Sequence, residues 1–140
     1  MKSFIVSLAI IVMGVCGLVY STDMCIYTNA QTHLKALTES AAACAAVSFD
    51  DQSYESDGDI IYNQVKTETA VRYFIYRASL FMPCFQNGKI NLVSCIADSE
   101  NDSVTVTIEY VSNSNFFRSI FLNTKTLTHT SSFEWVSYEL

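Results

Sequence analysis

Glycine and proline are scarce in this chain, four and one in 140 residues, and what is missing narrows its chemistry. No glycine-rich loop is present that could cradle a phosphate. No linker, internal repeat or low-complexity tract divides the sequence, and at this length there is room for one domain with a single core. Cations are few: eight Lys and Arg stand against fourteen Asp and Glu, a formal charge of −6. An acidic surface of that size argues against a nucleic-acid backbone or an anionic membrane as partner. The cysteines do not form the CxxC clusters that a zinc site needs, so neither a metal nor a cofactor is expected.

Bases for catalysis are also few. The histidines are His33, which falls on a helical apolar stripe and reads as a packed or boundary residue, and His129, which alternates with threonines and reads as surface. No Cys-His motif brackets Cys25 or Cys44 as a nucleophile. Spacing alone does not bring Glu68 and Glu109 together as a carboxylate pair. The expectation is a protein that is not an enzyme.

What is present begins with a leader. Lys2 precedes an apolar run at 4–19, and Val19-Tyr-Ser21 offers a small residue for cleavage, the pattern of a secretory signal peptide at residues 1–21. The run is about 16 residues, short of the roughly 20 that span a bilayer. The mature, secreted protein is then a single domain at 22–140, with no membrane attachment. Losing the leader removes Lys2 and Cys16, shifting the charge from −6 to −7 and leaving Cys25, Cys44, Cys84 and Cys95. Four cysteines in a small exported domain imply two disulfides, with three connectivities. Asn101-Asp-Ser103 is a glycosylation sequon in a polar loop.

The fold expected is α+β. Ile26, Ala30, His33, Leu34, Leu37, Ala41, Cys44 and Val47 recur at helical steps, predicting one long helix over 24–47 with Thr22 or Asp23 as its N-cap. Residues 50–59 are acidic around Gly58. As a calcium loop they fail, because Ser53 and Gln64 fall where carboxylates are required, and a solvated connection is expected. Strands are predicted at 60–65, 71–82, 104–111, 116–122, 126–130 and 133–138, with turns at Ser112–Asn115 and Ser131-Ser132. Pro83 sits at a strand end, where proline is tolerated. The result is a helix across one face of an antiparallel sheet of four to six strands.

The cysteines constrain this fold geometrically. If Asn87-Gly88 is a two-residue hairpin turn, Cys84 and Cys95 are offset by four residues, on the order of 13 Å. A disulfide needs Cα atoms within about 7 Å, so the regular hairpin and a Cys84–Cys95 bond exclude one another. Cys25 and Cys44 lie about 28 Å apart on one straight helix and cannot pair there. Either both disulfides run from helix to sheet, or Cys84–Cys95 closes an irregular loop.

Val71-Arg-Tyr-Phe-Ile75 followed by Cys84, eleven positions beyond Tyr73, and then Cys95 resembles the secreted cystatins, inhibitors of papain-like cysteine proteases. In that family a Val-x-Tyr-Phe-aliphatic strand leads to a cysteine that closes a loop with a second one. The resemblance implies a helix wrapped by an antiparallel sheet, and it favours the Cys84–Cys95 loop. It departs where inhibition is made. The family's Gln-x-Val-x-Gly hairpin reads Lys66-Thr-Glu-Thr-Ala70, and its Pro-Trp loop falls at Ser112-Asn-Ser-Asn115 with neither residue.

The functional expectation is a secreted, non-catalytic protein that binds another protein at one sheet end, through Lys66, Thr67, Glu68, Thr69 and Ala70 with Ser112, Asn113, Ser114 and Asn115. A papain-like protease is the partner the resemblance implies. The alternative, suggested by a heavy aromatic load, is a carrier of a small apolar ligand with the cone-shaped nuclear-transport-factor-2-like fold. Helix number separates the two, since that fold brings more than one helix.

Overall fold

The computed structural model describes residues 1–50, 55, 56, 58, 60–117 and 124–135. Helix α1 (Lys2–Ala46) leads to α2 (Gln64–Phe81), a short 3-10 turn (Pro83–Phe85), and strands β1 (Gly88–Asp98), β2 (Ser103–Ser112) and β3 (Thr126–Glu134). The strands form one antiparallel sheet in the order β1-β2-β3. Both helices lie on the same side of it. The protein is therefore α+β with a long N-terminal helix, as expected, but with three strands among the described residues rather than four to six.

β2 is the centre of the sheet and alternates without a break. Val104, Val106, Ile108 and Tyr110 face the helices and are buried, while Thr105, Thr107, Glu109 and Val111 face outward. Each buried aliphatic or aromatic side chain contributes about 1.5–3 kcal/mol. β1 keeps its apolar residues inward only because it carries a bulge. Leu92 pairs with Ile108 and Ser94 with Thr107, so Val93 is the extra residue, and the parity change turns Cys95 and Ala97 toward the core.

α1 supplies Ala30, Leu34, Leu37, Thr38, Ala41, Ala42, Ala45 and Ala46 to the core. The alanines let the helix lie close to the sheet and to α2. Thr38 is accommodated because its hydroxyl donates to the Leu34 carbonyl at 2.7 Å. Three residues placed on this stripe by periodicity, Ile26, His33 and Val47, are exposed instead, and Cys44 is half-buried. The buried face is set by where α2 and the sheet meet the helix, which shifts it by part of a turn.

α1 also begins earlier than expected. It runs unbroken from Lys2, so Thr22 and Asp23 are interior, and the Thr22 hydroxyl bonds the Leu18 carbonyl rather than capping a helix. The apolar residues of its first half are solvent-exposed. By length and composition this segment suffices to cross a membrane, a property export signals share.

The largest correction concerns 71–82. Residues 71–81 of the predicted strand are helical and, with 64–70, form α2; Met82 is its extended C-cap. The residues that carry the cystatin resemblance, Val71 to Ile75, lie on this helix. Three forces outweigh the β propensity of Val, Ile, Tyr and Phe, which is context-dependent. Asn63 caps the helix, its side chain accepting from the Val65 and Lys66 amides at 3.1 and 3.3 Å. Thr67, Val71 and Ile75 repeat every four residues and are buried, with Phe74, Ala78 and Met82 packed beside them. Arg72 bonds Glu68 across one turn at 2.7 Å.

Other strands differ as well. Residues 126–130 and 133–138 are not two strands with a turn at Ser131-Ser132; β3 runs straight through both serines. Position 62 forms only an isolated bridge with Phe49. Of the predicted 116–122 strand only Phe116 and Phe117 are described, and most of the acidic 50–59 connection, with the end of the last strand, lies outside the described residues.

Asn87-Gly88 is not a hairpin turn. Gly88 opens β1 opposite Ser112, and a Cβ there would meet the Val111 carbonyl at 2.3 Å and the Tyr110 ring at 2.6 Å. Glycine is required for close approach, not for reversal. The hairpin falls instead at the β1–β2 turn, where Asp98 accepts from the Glu100 amide at 2.9 Å and the Asn101 side chain at 2.6 Å, and Asp102 takes a positive φ of 47°.

Two aromatic clusters fix the ends. At one, the Ala46 carbonyl accepts from both the Tyr62 hydroxyl and the Trp135 indole N–H, at 3.2 and 3.1 Å, satisfying the end of α1. At the other, Phe85, Tyr110, Phe116 and Tyr27 follow one another with centroids 4.9 to 6.1 Å apart. α2 therefore runs antiparallel to the second half of α1, its start beside Ala46 and its end beside Tyr27.

Candidate functional site

α2 has two apolar stripes. The inner one belongs to the core. The outer one, Val65, Tyr73, Tyr76, Leu80 and Phe81, is solvent-exposed, with Val65 and Phe81 about three-quarters accessible. Tyr73, Tyr76 and Leu80 follow at three- and four-residue steps on one helix face and form a ridge, with Val65 two turns before it and Phe81 beside its end. Arg77 lies over the Tyr73 ring at 5.8 Å, a cation–π contact. Lys66, Arg72 and Arg77 border the ridge, against a single carboxylate on the helix, Glu68. This face is basic on a chain of formal charge −6.

Lys66, Thr67, Glu68, Thr69 and Ala70 are thus on the first turns of a helix, not in a loop between strands. Thr67 is buried, and Ser48 and Thr67 share a hydroxyl–hydroxyl bond of 3.1 Å. The Lys66 ammonium donates to the Phe49 carbonyl at 3.4 Å, and the Thr69 hydroxyl to the Val65 carbonyl at 2.7 Å. Val65, Lys66, Thr69, Ala70 and Tyr73, with Asn63, line a shallow depression on the outer face. Part of the predicted segment therefore does belong to an exposed surface, though Thr67 does not.

Ser112, Asn113, Ser114 and Asn115 do not join it. They follow β2 beside the start of β1, where the Asn113 amide donates to the Asn87 carbonyl at 2.7 Å. Lys66–Ala70 lies beside the opposite end of β1, about a sheet length away. The cystatin resemblance implies one sheet end for both segments, and that placement requires 71–82 to be a strand of the sheet.

Between the C-terminal half of α2 and β1 runs a groove of about 370 Å³, lined by Arg72, Ile75, Tyr76 and Ser79 from the helix and Ile90, Asn91 and Leu92 from the strand. Toward the start of α2, the Gln64 side-chain amide donates to the Cys95 carbonyl and accepts from the Ala97 amide at 3.1 Å. No residue pattern announced this groove. It depends on α2 lying along the edge of the sheet, which is invisible while 71–82 is taken for a strand.

The cysteines are all unpaired. Cys25 and Cys44 sit on the same continuous helix, so the length argument against their pairing applies. Cys84 lies in the turn before β1 and Cys95 seven residues into the strand, on the order of 24 Å along it, so the loop that the resemblance favours is not closed. Burial pushes the Cys44, Cys84 and Cys95 thiols up. They are held protonated, the unreactive form. Asn101 is exposed at the β1–β2 turn; its amide bond to Asp98 leads the causes that lower that carboxyl. His129 faces the helices opposite Ile108 and is half-buried, not surface, and His33 is exposed.

No family model, curated protein or solved structure matches this chain.

Proposed function

We propose that this is an exported, non-catalytic binding protein whose recognition surface is the outer face of α2. The observation that carries the reading is the ridge itself: Tyr73, Tyr76 and Leu80 aligned in solvent, with Val65 and Phe81 exposed at its two ends and arginines at its borders. Aromatic residues and arginine are the types enriched at interface centres and hot spots. A papain-like protease is not carried forward as the partner, because the strand on which that expectation rested lies on a helix and its two binding segments lie apart.

The ligand-carrier alternative gains one observation, the second helix, which is the feature that separates the cone-shaped fold from a single-helix one. Against it, the space between the helices and the sheet is occupied by Leu34, Leu37, Val71, Ile75, Val106 and Ile108, all buried. The binding reading is the better supported.

A photo-cross-linking residue placed at Tyr76 or at Thr128, on the outer sheet face, tests it in cells that make the protein. Protein adducts are expected from position 76 and not from 128. Adducts from 128 alone, or from neither, would reject the ridge as the recognition surface. Organic extraction and mass spectrometry test the alternative; an apolar molecule at near-equal stoichiometry would displace the binding reading.

A further inference from the structure

β1 is an edge strand, and one part of its free edge is open. In β2 the even-numbered residues direct their backbone groups to β3, as the Ser112 amide does in donating to the Lys125 carbonyl at 2.8 Å. Ile90 and Leu92 stand opposite Tyr110 and Ile108, even-numbered residues of β2, so their own N–H and C=O groups point away from the sheet. Beyond the bulge the same outward role passes to Cys95 and Ala97, opposite Val106 and Val104. Those two are already satisfied: Gln64 reaches over from α2 and takes the Cys95 carbonyl and the Ala97 amide with one side-chain amide. A side-chain amide there does what an added strand would do. At Ile90 and Leu92 no group among the described residues takes that place, and the groove between them and α2 is open.

We infer that an extended peptide segment of a partner, carrying a carboxylate, adds to β1 at Ile90–Leu92 and lies between the strand and α2. The inference rests on the α2 face being the recognition surface and specifies what it recognises. Three features select this occupant. Unpaired backbone donors and acceptors on a sheet edge bind an extended backbone directly. The groove volume, about 370 Å³, falls at the lower end of ligand-site volumes, which suits a short stretch of peptide and not a folded domain. Arg72 stands at the groove with its guanidinium already on a carboxylate, Glu68, through Nε and Nη2 at 3.0 and 2.7 Å. Those bonds use the Nε–Nη2 edge of the guanidinium and leave its Nη1 donors for a partner carboxylate.

The test uses the purified protein against a random peptide library displayed on phage. Recovered peptides are expected to share an acidic residue next to apolar ones. Amide exchange at Ile90 and Leu92 should slow at least tenfold when such a peptide binds. N-methylation of the peptide at alternate residues should weaken binding at least tenfold in one register and little in the other. Arg72→Glu should weaken it about tenfold while leaving the helical circular-dichroism signal unchanged. Failure to select any peptide, protection confined to α2, indifference to N-methylation, or the same protection arising from self-association would overturn strand addition. So would binding to anionic phosphatidylserine vesicles in place of peptides. Protein cross-linking at Tyr76 with Ile90 and Leu92 still fast-exchanging would preserve the α2 surface and reject the added strand alone.

Discussion

β2 and α2 are built from the same kinds of residue and fold oppositely. Both are rich in Val, Ile, Tyr and Thr, with charges between them. In β2 the apolar residues at 104, 106, 108 and 110 alternate strictly and face the core, and Val111 is the one apolar residue outside that set. In α2 two periods coexist. Residues 74, 76, 78, 80 and 82 alternate like a strand, while 67, 71, 75, 78 and 82 repeat like a helix. The structure buries Thr67, Val71 and Ile75 of the second set, half-buries Ala78 and Met82, and leaves Tyr76 and Leu80 of the first in water. A doubly periodic segment has apolar residues to spare, and the spare ones become surface. Here that surplus is the ridge.

The contrast can be broken most strongly in the core. Ile108→Ala in β2 removes a fully buried side chain, and equilibrium denaturation should show a loss of about 2–5 kcal/mol. Tyr73→Pro addresses α2. Tyr73 is exposed, so the side chain costs little, but a proline inside a helix costs about 3 kcal/mol or more. A loss well under 1 kcal/mol would mean that 71–82 is an edge strand after all. A smaller effect separates the cap from the pattern: Asn63→Ala should cost about 1 kcal/mol, with Asn63→Asp close to neutral.

The smallest effect is one of pH. Burial raises the Cys44, Cys84 and Cys95 thiols and the Tyr62 and Tyr110 phenols above their ordinary values. A raised folded-state value means that the unfolded chain releases its proton first. The stability these groups contribute is full below the ordinary thiol range and declines as pH rises through the raised values. The urea midpoint should therefore fall on the alkaline side of that range. In the native protein Cys25 should react with a thiol reagent ahead of Cys95.

How much of this was legible in the sequence follows from the same contrast. β2 was readable nearly to the residue, because strict alternation has one interpretation. The second half of α1 was readable as a helix, but its exposed His33 and Val47 show that which face is buried depends on neighbours. The Asn63 cap and the Glu68–Arg72 pair were helix signals that a run of β-formers outweighed. The groove was not legible at all. It is made by the placement of α2 against an edge, and by a bulge at Val93 that only pairing reveals.

Backbone chemical shifts of Gln64 to Phe81, measured on the purified protein, test the central claim most directly. Helical Cα shifts with sequential amide contacts through Val71, Tyr73 and Ile75 are what the account predicts. Extended shifts there, with cross-strand contacts from Tyr73 or Ile75 to a neighbouring strand, would contradict it and dissolve the ridge and groove together.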